Sequence, residues 1–427
     1  MKRQILSWTF IGLIIRLLVM PFSFHGHDIF WIYYAPFKFI TQGAWDPYLH
    51  LSQNFPGLHY TYYAPFLFFI ISLFLFLFQP LLPDLSRLYS VFETWNYTFT
   101  GNTIHYASIF SGMQLFRTLF IFKLPFLIFD FSIGAIILSL LKSRPKERIA
   151  AYIIWMLNPF ILHSCYAIGQ VDIIVTFLVM AALYCIYLRK KKTACVILTL
   201  GVLTKTMPIL LIPFAIILLA DSFREGVKLS IFSAVTFLTL IIPFMISSGN
   251  LVFNSFFFFG TGSSSLRQVF FMISYALLSF FYIFTRKKGP ADFDFIVSAF
   301  IIILLLFYAF YVVTLRYFIV ITPLLIYISM KNKKFWWYGL VFLIALFELK
   351  NFDTTVQWGL FSPLYPEFFS GLPIMDSFLN LKIDVRIIHK LMYRVFFAAS
   401  LIMCAHLLYY NRKNFNFQKF MPWQKSA

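Results

Sequence analysis

The chain has 427 residues, of which 61% are hydrophobic and 12% are charged, and its formal net charge is +19 at pH 7. A water-soluble protein of this length could not bury so much apolar side-chain surface. The basic charge does not indicate nucleic acid, because Lys and Arg concentrate in short loops between apolar runs, as the positive-inside rule describes for membrane proteins.

Repeated apolar runs of about 15–22 residues are long enough to cross a bilayer. We therefore predict an all-α, polytopic membrane helical bundle that forms one domain over residues 1–427. Broken helices included, the runs give about 12–14 spans. A long outer first loop, residues 24–60, is rich in Phe, Trp and Tyr and is expected to carry interfacial helices.

The basic loops predict the topology. They lie at residues 2–3, 142–148, 189–192, 224–228, 286–288, 331–334 and 412–413. If all of them face the cytoplasm, an even number of crossings is needed between residues 82 and 142. We predict two crossings, with a helix break near Pro125, because proline removes a helical hydrogen bond. In the alternative, residues 63–82 enter the membrane without crossing it.

Residues 194–220 contain two short apolar pieces on either side of the sequence TKTMP, which includes Lys205. Each piece is too short to span the bilayer comfortably. We predict a pair of short helices with Lys205 at the tip. Irregular backbone at membrane depth is tolerated only against protein or a wet cavity, so we place Lys205 beside a cavity.

The first outer segment carries a candidate catalytic carboxylate, Asp28. The alternative is that Asp28 only caps a helix, a position that Asp favours. Gly26 and His27 allow the backbone to bend there, and polar and aromatic side chains return to the same side further along. These side chains are Trp45, Asp46, Tyr48, Tyr62 and Tyr63.

Two further groups of polar residues lie at predicted outer edges of the membrane. Gln170 and Asp172 open a helix, where they either face a substrate or complement the helix dipole. Lys205 and Arg316 depart from the positive-inside distribution and are either site cations or snorkelling side chains. A third group, Arg117, Lys123 and Asp130, has structural pairing as its simplest role.

Several of these stretches resemble one family of membrane enzymes. GHD, TQGAWDPY and YTYYAPF in the first outer segment resemble motifs of the GT-C glycosyltransferases, most of all the polyprenyl-phosphate-mannose-dependent mannosyltransferases. NPFILHSCYAIGQVD, LTKTMPILLIPF and TLRYFIVITP are similar to later stretches of that family. The resemblance covers residues 1–330. Residues 331–427 are predicted to be C-terminal helices with an outer loop at 348–389.

The resemblance implies an inverting transfer of a sugar, mannose by family likeness, from a polyprenyl-phosphate donor to a glycan or glycolipid acceptor. Asp28 would be the catalytic base, and Lys205 and Arg316 would stabilise the departing phosphate. The remaining candidate substrate-binding residues are His27, Trp45, Asp46, Tyr48, Tyr62, Tyr63, Gln170 and Asp172.

The resemblance also sets expectations about cofactor and location. Some family members carry Asp-x-Asp in the first loop, but this chain has no second Asp two residues from Asp28. We therefore expect no cofactor, and a divalent metal is not indicated. The expected location is the plasma membrane with the site facing outward, or the lumen of the endoplasmic reticulum in a eukaryote.

Two other classes of protein remain open. A transporter or flippase of a lipid-linked sugar also needs many helices and intramembrane polar residues, although inverted repeats are typical of it and none is evident. A structural membrane subunit without its own activity is the third. The chain has no Walker A motif, no GxGxxG after a strand, no HExxH and no paired CxxC, which argues against a nucleotide-driven pump and a zinc protease.

Overall fold

A computed structural model describes residues 1–55, 63–94, 113–257, 265–287, 291–311, 317–348, 357–373 and 385–416 of the chain. These ranges contain helices and no β-strand, which confirms the predicted all-α class. The α-helices discussed below are α1 Lys2–Val19, α2 Gly26–Gln42, α3 Pro47–Asn54, α4 Pro65–Phe78, α5 Leu85–Thr94, α6 Met113–Leu140, α7 Pro145–Met156, α8 Asp172–Tyr187, α9 Lys191–Val202, α10 Leu211–Leu219, α11 Phe223–Ser248, α12 Asn250–Phe257, α13 Ser265–Thr285, α14 Phe293–Phe310, α15 Thr322–Lys331, α16 Trp336–Glu348, α17 Pro366–Gly371 and α18 Val385–Tyr410.

Six helical stretches of the described ranges have the length and hydropathy of membrane spans. They are Gln114–Leu140, Pro145–Ile168, Phe223–Ser248, Leu266–Thr285, Phe293–Phe310 and Ile387–Tyr410. Three shorter apolar helical stretches accompany them, namely Pro65–Leu81, Asp172–Tyr187 and Met207–Leu219. The chain is thus a multi-pass helical membrane protein, and the higher count from the sequence stays a prediction.

Contacts at the ends of helices bring basic loops together in pairs. Arg144, in the loop before α7, donates to the carbonyl of Met330 near the end of α15 (3.4 Å). Lys191, at the start of α9, forms an ion pair with Asp221 before α11 (2.6 Å). The two loops of each pair therefore lie at the same end of the bundle, as the predicted topology expects. The cytoplasmic orientation of that end stays a prediction.

The predicted break near Pro125 is wrong. Helix α6 continues for 28 residues through Pro125. The Tyr33 hydroxyl donates to the Phe122 carbonyl (2.5 Å), and the two rings stack with centroids 3.9 Å apart. A neighbouring helix therefore supplies hydrogen bonding and packing beside the proline, which is how membrane helices accommodate this residue.

The geometry of α4 favours the alternative that residues 63–82 do not cross the bilayer. At the start of α4, the Phe66 amide donates to the Leu203 carbonyl (2.7 Å), two residues before Lys205. Past its end, Asp84 pairs with Arg117 in the first turns of α6 (2.9 Å). The segment therefore starts beside the Lys205 hairpin and is followed by a contact with the start of α6, and the predicted topology places both of these parts outside.

The interrupted stretch around Lys205 forms the predicted pair of short helices. Helix α9 ends at Val202, a 3₁₀ turn covers Met207–Leu210, and α10 follows at once. Lys205 lies in the turn between them, with its amide bonded to the Gly201 carbonyl (3.0 Å). This prediction is confirmed, and it fixes Lys205 at the tip of a helical hairpin.

A buried polar network holds α1, α6 and α7 together. Arg16 Nε donates to Asp130 Oδ2 (2.6 Å), and both side chains are fully buried. The other carboxylate oxygen accepts from Trp155 Nε1 (2.9 Å), and Tyr166 adds a bond to Oδ2 (2.7 Å). A buried charge is stable only when it is paired and hydrogen-bonded in this way. Asp130 therefore has a structural pairing, as predicted, but its partner is Arg16, while Arg117 pairs with Asp84.

We expect Asp130→Leu to destabilise the protein strongly, because it leaves the Arg16 guanidinium buried without its carboxylate. Removing one partner of a buried ion pair costs about 3–5 kcal/mol. The measurement is the thermal unfolding midpoint in detergent, with size-exclusion chromatography as a test of folding.

The matched control is Arg117→Leu, which breaks the half-exposed pair with Asp84 and should change the midpoint little. The double variant Arg16→Met, Asp130→Leu removes both buried charges and should recover most of the loss. Equal midpoints for Asp130→Leu and Arg117→Leu would contradict this account.

Candidate functional site

The candidate base, Asp28, lies in the first turn of α2, and the imidazole of His25 lies beside it. Helix α2 begins at Gly26, and His25 occupies the capping position with an extended backbone. His25 Nδ1 is 2.8 Å from Asp28 Oδ2, and both side chains are largely buried. The two atoms are close enough for an ion pair, but their alignment is not that of a hydrogen bond. Asp28 is therefore inside the helix, in contact with an imidazole, and does not occupy the capping position.

The segment that carries Gln170 and Asp172 folds against the start of α2. The His25 amide donates to the Ile168 carbonyl (3.0 Å). Gly169 has φ +93°, and a Cβ built on it would lie 2.6 Å from Ile29 Cδ1. A glycine is required there by both its backbone conformation and the close approach of Ile29. The two candidate acids thus belong to segments in direct contact.

A π-helical turn leads into this second segment. Asn158 caps the preceding turn by accepting from the Phe160 amide (2.9 Å), and residues Leu162–Ile168 then widen into a π-helix. The Gln170 amide returns to the Ser164 carbonyl (2.9 Å). Such π-helical turns occur often at functional sites because they redirect side chains within a helix.

Gln170 is a fully buried amide whose side-chain oxygen and nitrogen have no hydrogen-bond partner among the described residues. Asp172 is also fully buried, and within the same part of the chain its Oδ2 has no partner either. Buried polar atoms are nearly always hydrogen-bonded in folded proteins. Unused hydrogen-bonding capacity therefore collects in the turn that opens α8.

Lys205 at the hairpin tip pairs with Asp172. Its Nζ lies 2.7 Å from Asp172 Oδ1, and the Lys205 side chain is 14% exposed. The ammonium also lies 4.2 Å from the ring centroid of Tyr317 and 5.7 Å from that of Tyr63, which are distances for cation–π attraction. Lys205 is thus a partly accessible cation, and among the described residues it lies beside the Asp172 carboxylate and the rings of Tyr317 and Tyr63.

Asp46 and Tyr48 have structural contacts that occupy their polar atoms. Asp46 caps α3 by accepting from the Tyr48 amide (2.9 Å), and its other oxygen accepts from Ser248 (2.6 Å). Tyr48 is fully buried and donates to the Tyr63 carbonyl (2.7 Å). Burial, and secondarily the charge of Asp46, raise the pKa of Tyr48 well above its usual value, so the hydroxyl remains a donor.

The other predicted binding residues are placed less completely. Trp45 is 47% exposed and lies 5.7 Å from the Phe244 ring. His27 belongs to α2, but its side chain is outside the described part of the structure. Tyr62 and Arg316 lie outside the described residues. Their predicted roles stay predictions.

His25 and Tyr317 are neighbours of the candidate acid and cation that were not among the predicted site residues. His25 precedes Asp28 by three residues, a spacing that brings side chains together at a helix start, so the signal was present. Tyr317 directly follows Arg316, but only the packing of distant helices brings its ring to Lys205. No local pattern could have found it.

A second polar cluster joins α2 to α5. Lys38 pairs with Glu93 (2.6 Å), and the Tyr34 hydroxyl donates to the same oxygen of Glu93 (2.7 Å). Burial, and then the charge of Lys38, lower the pKa of nearby His50. No pattern in the sequence indicated this cluster, and its mutual hydrogen bonds are those of a structural network.

Among the described residues, no group of three or more His, Cys, Asp or Glu side chains has the arrangement of a metal site. No family model matches the chain, and no curated protein matches it either.

We expect Gly169→Ala to lower the unfolding midpoint, because the Cβ meets Ile29 and the backbone has a left-handed φ. Such strain costs about 1–3 kcal/mol. Gly339→Ala in α16 is the matched control, because a Cβ added at that position has nothing within 4 Å of it. Thermal unfolding of both variants should show a loss for Gly169→Ala alone. A wild-type midpoint for it would mean that the two segments do not meet as described.

Proposed function

We propose that this chain is an inverting membrane glycosyltransferase that moves a sugar from a polyprenyl-phosphate donor to a glycan or glycolipid acceptor. One observation supports the proposal most. A carboxylate–imidazole pair, Asp28 with His25, lies on a segment in contact with the segment of Asp172, and Asp172 pairs with the ammonium of Lys205 from the hairpin tip. Proton transfer and phosphate departure need these two kinds of group close together.

In the proposed reaction, Asp28 is the general base. It accepts the proton of the acceptor hydroxyl while that oxygen forms a bond to the anomeric carbon of the donor. The bond from that carbon to the phosphate oxygen breaks, and its electron pair leaves with the phosphate. His25 Nδ1, which lies 2.8 Å from this carboxylate, is the proposed positioning group. One displacement of this kind inverts the configuration at the anomeric carbon.

Lys205 is the proposed cation for the leaving phosphate, where negative charge builds in the transition state. Its existing bond to Asp172 adds a condition that the sequence did not reveal. A donor phosphate must share the ammonium with this carboxylate or displace it. Arg316 keeps its proposed role as a second cation, and the unused polar atoms of Gln170 suit sugar hydroxyls.

The donor sugar and the location follow from the resemblance. Mannose is the proposed sugar, and the plasma membrane, with the site facing outward, is the proposed location. A lipid donor held in the bilayer by its tail needs little further positioning energy, because the membrane already limits its motion.

A transporter or flippase is the second candidate, and the buried Arg16–Asp130 pair is the observation in its favour. Charged residues inside a bundle often mark a transport path. Every charged group of that pair also has structural partners, which favours the enzyme. Purified protein in liposomes, supplied with radiolabelled polyprenyl-phosphate mannose and candidate acceptors, distinguishes the two by transfer to acceptor or by movement of lipid across the bilayer without transfer.

We expect Asp28→Asn to abolish most transfer, because an amide keeps the shape of the carboxylate but cannot accept a proton at neutral pH. Loss of a general base lowers the rate by roughly 10²–10⁴. Transfer rates of Asp28→Asn, Asp46→Asn and Asp172→Asn should be measured side by side in one preparation.

Asp46→Asn is the informative control, since Asn caps a helix as well as Asp and Asp46 has a capping contact. All three variants need unfolding midpoints near that of the wild type for the comparison to count. If Asp28→Asn transfers sugar at a near wild-type rate, Asp28 is not the base, and Asp172 becomes the next candidate.

The role of Lys205 is tested by changing the charge on either side of its ion pair. Lys205→Gln should raise the KM for donor. If the ammonium bonds the phosphate directly, the increase corresponds to a loss of about 1–3 kcal/mol of binding free energy. Asp172→Asn should lower the donor KM, because it removes the carboxylate that competes with phosphate for the ammonium. Steady-state kinetics at varied donor concentration measure both effects.

Lys205→Arg, which keeps the cation and the pair, is the control for loss of structure. Arg316→Gln should resemble Lys205→Gln if both cations bind the phosphate. An unchanged donor KM in Lys205→Gln, or a raised one in folded Asp172→Asn, would remove Lys205 from phosphate binding and leave the pair a structural role.

A further inference from the structure

A small element of the predicted outer loop at 348–389, called the late loop below, contacts the candidate site. Within residues 357–373 a 3₁₀ turn covers Trp358–Phe361, and α17 follows. The Leu360 carbonyl accepts from the Phe24 amide (3.0 Å). The Leu360 side chain packs against Ala167 and Ile168, just before the turn with Gln170. The inner side of this element therefore contacts both segments of the candidate site.

The outer side of the same element is apolar and exposed. Leu364, Tyr365 and Phe368 are 51%, 58% and 53% exposed. The rings of Tyr365 and Phe368 stack with centroids 6.3 Å apart. Two stacked rings with an exposed leucine beside them in the chain form an apolar surface that marks an interaction site.

The position of the element indicates what covers this surface. Phe24, to which it is bonded, follows the end of α1 at Val19 by five residues, so the element lies where an apolar helix ends. Further along the chain, α18 leads into the candidate span Ile387–Tyr410. Ile387 and Leu391 at the start of that span are 60% and 51% exposed. The element is thus bonded to the segment that follows α1, and it precedes an exposed candidate span along the chain.

The residue types agree with that position. Aromatic side chains with a polar atom concentrate where the hydrocarbon of a bilayer meets the headgroups. A short amphipathic element with aromatic and aliphatic side chains on one side lies in that layer without crossing it. Tyr365 supplies such a ring, and Leu364 and Phe368 supply apolar surface beside it.

We propose that Leu364, Tyr365 and Phe368 insert into the interfacial layer of the bilayer and anchor the late loop over the candidate site. The occupant of this surface is lipid, at the junction of headgroups and acyl chains. The inner contacts of Leu360 then connect this anchor to the segments that carry Asp28 and Gln170. The proposal does not depend on the reaction, because it requires only that the chain span a membrane.

The test measures the depth of a nitroxide spin label in nanodiscs of phosphatidylcholine and phosphatidylglycerol. Labels are placed by Leu364→Cys and Phe368→Cys in a full-length background whose four native cysteines are alanine. Leu277→Cys, which is 64% exposed within a candidate span, is the lipid reference. Lys190→Cys, in an exposed basic loop, is the water reference.

The expected result is that labels at 364 and 368 collide preferentially with oxygen, which concentrates in lipid, as the label at 277 does. Preferential collision with a water-soluble nickel chelate, as expected at 190, would overturn the proposal. Immobile labels protected from both reagents would also overturn it, because another protein surface would then cover these residues. Two sites are labelled so that one poorly folded variant does not decide the outcome. No sugar donor is present, so the measured label depth does not depend on whether the proposed function is correct.

Discussion

The candidate site depends on one buried lysine side chain. Lys123 is fully buried in α6 and donates to the carbonyls of Met20 (3.0 Å), Tyr166 (2.7 Å) and Ser23. The Met20 and Ser23 carbonyls follow the end of α1, and Tyr166 belongs to the π-helical turn. A buried amine without hydrogen-bond partners is unfavourable, so these carbonyls must stay together around it. This requirement brings the start of α2 and the start of α8 into contact.

Two carboxylates near this junction have different surroundings, and a third has a different task. Asp28 faces an imidazole, whereas Asp172 faces an ammonium and retains an oxygen without a partner in the described residues. Asp130 is enclosed by Arg16, Trp155 and Tyr166 as part of the helix packing. The three carboxylates thus differ in their partners, and the packing of the helices around them decides which partner each one has.

The sequence by itself determined the helical class and several local features. Long apolar runs with few charges require helices, because only a helix satisfies its backbone hydrogen bonds within one segment in lipid. The sequence TKTMP determined the hairpin at Lys205, because a charge and a proline between two short apolar pieces do not suit a continuous span. The sequence also located polar helix starts at Asp28 and Asp172, because acidic residues favour helix N-termini.

Only the tertiary structure decided which of these groups meet. The pairing of Lys205 with Asp172 joins residues 33 positions apart, and that of Arg16 with Asp130 joins residues 114 apart. Local patterns do not encode such distances, because partners on different helices are chosen by how the helices pack. Pro125 shows the same limit, since a local rule predicted a break and contacts with Tyr33 accompany a continuous helix. The sequence thus supplied the polar groups and the helix ends, and packing around buried charges decided their partners.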